Sequence, residues 1–103
     1  MIVLDSEQID KLIDRNEMMD QIEEAYKIFK AGDYYMPPRP CVEDANKTMM
    51  YMPCYTKEVI GTKILSIFPD NAELGLPSID GIMYLNDYKT GKPLAVMDGQ
   101  RVT

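Results

Sequence analysis

Residues 48–97 read TMMYMPCYTKEVIGTKILSIFPDNAELGLPSIDGIMYLNDYKTGKPLAVM, and this stretch decides the fold. Its apolar runs are short and rich in branched and aromatic residues, with turn residues between them. Strands are expected over residues 48–52, 59–68, 79–85 and 93–97. Residues 88–92, YKTGK, read as a hairpin turn between the last two. Asp80-Gly81 interrupts the third run and suggests a bulge or kink.

Upstream the pattern changes. Ile2–Leu4 is a short apolar run, read as an opening strand. Asp5 and Ser6 offer caps, Glu7 is acidic in a first turn, and Ile9, Leu12 and Ile13 keep helical spacing. A short helix is expected over 6–14. Met18, Ile22, Ala25, Tyr26 and Phe29 then form one apolar stripe, with Gly32 as the stop. Prolines at 37, 38 and 40 favour extended chain before the strands begin. Helices followed by strands at hairpin spacing predict an α+β domain. Its two N-terminal helices should pack on one face of a twisted, mainly antiparallel or mixed sheet of about five or six strands. Met18, Ile22, Tyr26 and Phe29 should face that sheet.

One domain accounts for 103 residues. Hydrophobic residues are 46% and charged residues 27%, a globular balance. The formal charge of −6 argues against a nucleic-acid partner, which needs a basic surface. No apolar run approaches the roughly 18–20 residues that span a bilayer. No signal-peptide pattern opens the chain, so no membrane partner and a cytoplasmic location are expected. Histidine is absent, which removes the commonest general base and the usual catalytic triad. Cys41 and Cys54 are read as free buried thiols. With no histidine to activate it, Cys54 is a poor nucleophile. Asp80, Asp87 and Asp98 lack metal-ligand spacing and read as turn and cap residues. The glycines form no G-x-G-x-x-G loop.

Two cations stand out. Lys63 lies in IGTKILSIF, where alternation puts Lys63, Leu65 and Ile67 on one strand face. A lysine among branched apolar residues is costly to bury unless it is paired or functional. Otherwise its face is solvated, or it snorkels to an edge. Arg39 lies in MPPRP, where prolines make a rigid platform for a two-pronged donor suited to carboxylate or phosphate. Otherwise it is an exposed arginine in a Pro-rich loop.

Several motifs together resemble the ornithine cyclodeaminase/mu-crystallin family. They are MPPRP, MMYMPCY, K-x-x-x-x-x-P-x-N (Lys63, Pro69, Asn71), G-L-P (Gly75 to Pro77) and T-G-x-P-L-A (Thr90 to Ala95). The family includes ornithine cyclodeaminases, archaeal-type alanine dehydrogenases and ketimine reductases. The resemblance implies that residues 1–103 are a substrate-binding and dimerisation domain, the N-terminal fragment of a longer enzyme. The family's Rossmann domain, which binds NAD or NADP, is absent from this chain. The fragment alone is therefore expected to bind no dinucleotide and to be inactive.

The resemblance also assigns residues. Arg39 and Lys63 match the basic pair that holds the substrate carboxylate, with Lys63 also catalytic, and the two should share one concavity. Ser78 falls where the family places a threonine close to the cofactor. Met50 falls near the acidic position of ornithine-specific members, which favours a small or apolar amino acid or an imine. The implied parent is an NAD(P)-dependent amino-acid or imine oxidoreductase or cyclodeaminase. The alternative is a non-catalytic small-ligand-binding or dimerisation module of mu-crystallin type. A homodimer is expected, because one layer of helices covers one face of a sheet. Its interface should draw on Tyr51, Met52, Ile82, Met83, Tyr84 and Met97, only some of which can share a face.

Overall fold

The computed structural model describes residues 1–102. Strand β1 (Ile2–Leu4) leads through Asp5 into helix α1 (Ser6–Leu12). A reciprocal box starts this helix: Gln8 N–H donates to the Asp5 carboxylate, and Asp5 N–H donates to the Gln8 side-chain carbonyl. Asp14 caps helix α2 (Arg15–Ala31) by accepting from the N–H groups of Asn16 and Glu17. Gly32, at φ 72°, ends it in the left-handed conformation that glycine adopts without a Cβ penalty. Strands β2 (Cys41–Asp44), β3 (Lys47–Tyr55), β4 (Val59–Ile67), β5 (Ile79–Asp87) and β6 (Pro93–Asp98) follow, and helix α3 (Gly99–Val102) closes the described chain.

The strands form one mixed sheet in the order β1-β6-β5-β4-β3-β2. Only the β1–β6 pair is parallel. The α+β architecture is the one expected, and so is the turn between β5 and β6. The Asp87 carboxylate accepts from Lys89 N–H, Thr90 N–H and the Thr90 hydroxyl, which fixes that turn. The side-chain and backbone hydrogen bonds from Thr90 hold the Asp87 carboxyl below the usual aspartate value.

Several expectations change. Strand β3 runs through Pro53 to Tyr55, beyond the expected end at Met52. Pro53 is tolerated because β2 pairs only with residues 47–50, and its last link is Tyr51 N–H to the Pro40 carbonyl. Strand β2 itself was hidden by its exposed, polar sequence CVED. The irregularity in β5 falls between Leu85 and Asn86, not at Asp80-Gly81. Cys41 is exposed rather than buried.

The main correction concerns α2. Its stripe does not face the sheet: Met18, Ile22, Tyr26 and Phe29 are 41%, 45%, 70% and 65% exposed. Helix α2 makes no substantial contact with any strand, whereas α1 packs on β6 and β1, and α3 packs on β5, β4 and β6. Helical spacing reports an apolar face but does not encode what covers it. Here Phe29 stacks on Tyr34, with ring centroids 5.5 Å apart. The packed core is correspondingly thin, and Ile9 of α1 is its buried apolar side chain.

Register sorts the sheet into two faces, since paired residues share a face. Leu4, Met97, Met83, Lys63 and Met52 form one cross-strand row. Helices α1 and α3 lie on this side: Ile9 and Leu12 meet Leu4 and Met97, and Gly99 meets Gly81. The opposite, bare face carries Val3, Tyr51, Ile64, Ile82, Tyr84 and Val96.

Candidate functional site

Lys63 is at the middle of β4, half-buried, with Met52 opposite it on β3 and Met83 opposite it on β5. Met50 lies on the same side, because it pairs with Leu65. The ammonium thus stands in a row of thioether and aliphatic side chains. Lys63 forms no ion pair or hydrogen bond with any described residue, although the chain has 17 acidic residues. Its ammonium is therefore available to an external anion.

A cavity of about 290 Å³ opens beside it, lined by Lys63, Leu65, Ile79, Asp80, Gly81, Gly99 and Gln100. Its floor is a glycine contact. A Cβ on Gly99 would lie 2.7 Å from the Gly81 carbonyl carbon, and one on Gly81 would lie 2.5 Å from the Ile64 carbonyl oxygen. The bare Gly99 lets α3 approach β5 this closely, and the bare Gly81 lets β5 sit against β4. The Gln100 side-chain amide donates to the Ile79 carbonyl, and Asp98 caps α3 by accepting from Arg101 N–H at 2.8 Å. Arg101 in turn pairs with Asp10, which ties α3 to α1.

Arg39 does not line this cavity. It is exposed, lies just before β2, and its guanidinium contacts the Met36 sulfur. Pairing of Cys41 with Met50, and the Tyr51–Pro40 hydrogen bond, bring the ladder to one residue short of Arg39. Arg39 itself lies outside the strands, between this ladder and the isolated Tyr35–Tyr55 bridge.

Ser78 is half-buried and immediately precedes β5. Its carbonyl accepts from Phe68 N–H at 2.8 Å, and Asn71 Nδ2 donates to the Pro77 carbonyl at 3.1 Å. The 3-10 turn at Pro69–Leu74 is thereby tied to Pro77 and Ser78, which lead into Ile79 of the cavity wall. This accounts physically for Asn71 and the G-L-P motif.

The residues present do not fit a dinucleotide. A pyrophosphate needs a glycine-rich turn into a helix N-terminus. Both strand-to-helix turns described here carry a capping carboxylate instead, Asp5 before α1 and Asp98 before α3. Each would repel a phosphate.

Sequence reasoning missed the α3 side of the cavity. Its signal was Asp98-Gly99, an N-cap aspartate followed by a residue without a side chain. Gly81, read as a bulge, marks instead the place where a second backbone comes close.

The profile of the ornithine cyclodeaminase/mu-crystallin family matches residues 1–103. An alanine dehydrogenase from Archaeoglobus fulgidus is 34% identical over 102 residues, which cover 99% of this chain and 32% of that protein. A Delta(1)-pyrroline-2-carboxylate reductase from Bacillus cereus is 32% identical over 107 residues, covering 100% of this chain and 33% of that protein. Among solved structures, an archaeal alanine dehydrogenase dimer with bound NAD superposes with a TM-score of 0.86 at 33% identity, over 99% of this chain and 32% of that one. The Thermococcus litoralis Delta(1)-pyrroline-2-carboxylate reductase, in complex with NADH and L-proline, superposes with a TM-score of 0.83 at 36% identity, over 96% and 32%. The chain spans about a third of the length of these relatives. It belongs to the ornithine cyclodeaminase/mu-crystallin family.

Proposed function

We propose that this domain binds the carboxylate of a small, uncharged amino acid or its imine at Lys63, within an NAD(P)-dependent amino-acid or imine oxidoreductase. The observation that carries the reading is Lys63 itself: a half-buried lysine between Met52 and Met83 whose ammonium has no partner among the described residues. Arg39, just before β2, is the second donor in this reading, and a carboxylate has the two oxygens to engage both. Met50 and Met52 offer no anion to a second amine on the ligand, which disfavours diamino acids. The names of the relatives, an alanine dehydrogenase and a pyrroline-2-carboxylate reductase, fall in this ligand class.

Lys63 serves as both carboxylate partner and catalytic group in this reading. Its ammonium can polarise an imine or pass a proton to it while the methionine row keeps water away. Residues 1–103 bind no NAD or NADP by themselves and are inactive alone, since the helix starts at Asp5 and Asp98 are acidic. Ser78 leads into Ile79 of the cavity wall, where a cofactor held by other parts of a longer protein would approach. In a longer protein that carries this domain together with a dinucleotide-binding one, Lys63→Met should abolish turnover of L-alanine or L-proline with NAD or NADP and leave the fold intact. Near-normal turnover would remove Lys63 from the mechanism.

Association is part of the same proposal. Among the described residues no helix covers the bare face, where Tyr51 and Ile82 are 38% and 39% exposed. A second copy seated there would bury it, giving a homodimer with an interface above roughly 1,000 Å². Of the six residues named from sequence, Tyr51, Ile82 and Tyr84 lie on this face. Met52, Met83 and Met97 lie on the Lys63 side. No described helix is long and apolar enough to cross a membrane. We retain the cytoplasm as the proposed location. A non-catalytic binding or dimerisation module is the second reading, favoured by the bare face alone.

A further inference from the structure

We infer that Gln100 is a substrate-positioning residue whose side-chain carbonyl accepts a hydrogen bond from the nitrogen of the bound amino acid or imine. The inference rests on the carboxylate reading of Lys63 and adds a second recognition point to it. Lys63 and Gln100 line the same cavity from different elements, β4 and α3. The orientation of the Gln100 amide is not arbitrary. The Ile79 carbonyl can only accept, so it must face the amide nitrogen of Gln100. That leaves Oε1 as an acceptor with no hydrogen-bond partner among the described residues.

Asp80 is the other acceptor at the cavity wall, but alternation directs it to the bare side of the sheet. There it also lines a shallow cavity with Ile64, Ser66 and Ile82, and its Oδ1 accepts from Gly81 N–H. With Asp80 turned away, the polar side chains left to this cavity are the Lys63 ammonium and the Gln100 amide. A ligand with a carboxylate at one end and an N–H one carbon away complements that set. The matching 2-oxo acid keeps the carboxylate and offers no N–H. Position 100 thus reads the nitrogen, while Lys63 reads the carboxylate.

The test compares L-alanine with pyruvate, its 2-oxo counterpart, by calorimetric titration of the protein and of Gln100→Met. That substitution keeps the side-chain length and removes the amide. Loss of one hydrogen bond should weaken L-alanine about tenfold and leave pyruvate unchanged. Equal weakening of both ligands would assign Gln100 a merely structural role in holding α3 and would overturn the inference. So would unchanged binding of both. Lys63→Met separates the two layers, because it should weaken both ligands together. If it weakens neither, the carboxylate reading falls, and the Gln100 assignment with it.

Discussion

Gly99, the first residue of α3, rests against the backbone of Gly81 in β5 so closely that a Cβ on Gly99 would fall 2.7 Å from the Gly81 carbonyl carbon and 2.9 Å from Ile82 N. Both obstacles are backbone atoms, so no side chain can move to relieve them. Gly99→Ala should therefore cost about 1–3 kcal/mol of stability, as overpacking typically does. Urea denaturation checks this. A variant as stable as the parent would mean that α3 is not seated where the structure puts it.

The turn at residues 88–92 gives a pH-dependent prediction. The Thr90 hydroxyl is the largest cause of the lowered Asp87 pKa. A carboxyl whose folded pKa is depressed stabilises the fold above its unfolded pKa, and this contribution is lost as pH falls through the folded value. Asp87 lies at a surface turn, so the effect on stability is small and confined to pH below the usual aspartate range. Thr90→Val should move the Asp87 pKa upward, toward that of a free aspartate. Carboxyl NMR titration measures it directly, and an unmoved pKa would contradict the assigned cause.

The bare face predicts the behaviour of Ile82. It is flanked across the sheet by Ile64 and is 39% exposed. Ile82→Asp places a charge at the centre of the proposed two-fold contact and should weaken dimerisation by at least about tenfold. Sedimentation at micromolar concentration reads the outcome. A dimer of unchanged stability would move the interface elsewhere.

Much of this architecture is legible in the sequence because local rules and tertiary structure agree there. Asp5 and Asp14 start helices, Gly32 stops one, and period-2 alternation around Lys63 marks a strand. Alternation also assigns Lys63, Leu65 and Ile67 to one face before any coordinates. What stays illegible depends on partners distant in sequence. The α2 stripe is a sound helix signal, yet nothing in Met18, Ile22, Tyr26 and Phe29 says that α1 and α3 take the sheet face. Strand β2 is set by its pairing with β3, not by the propensities of CVED. Gly81 is a strand glycine whose missing Cβ would meet Ile64 and Leu65 of β4, and Gly99 is a helix glycine whose missing Cβ would meet Gly81, 18 residues earlier. The Lys63 side of the site was therefore readable, and the Gln100 side was not.

The central claim is that Lys63 awaits a carboxylate. Calorimetric titration of L-proline and L-alanine into the protein, Lys63→Met and Arg39→Met tests it most directly. Losing a charge-assisted hydrogen bond should weaken binding about 10- to 100-fold in Lys63→Met. Arg39→Met should act in the same direction if both cations share one ligand. The account predicts measurable binding to the parent protein and its loss in Lys63→Met at unchanged melting temperature. Equal affinity in the parent and in Lys63→Met would contradict it.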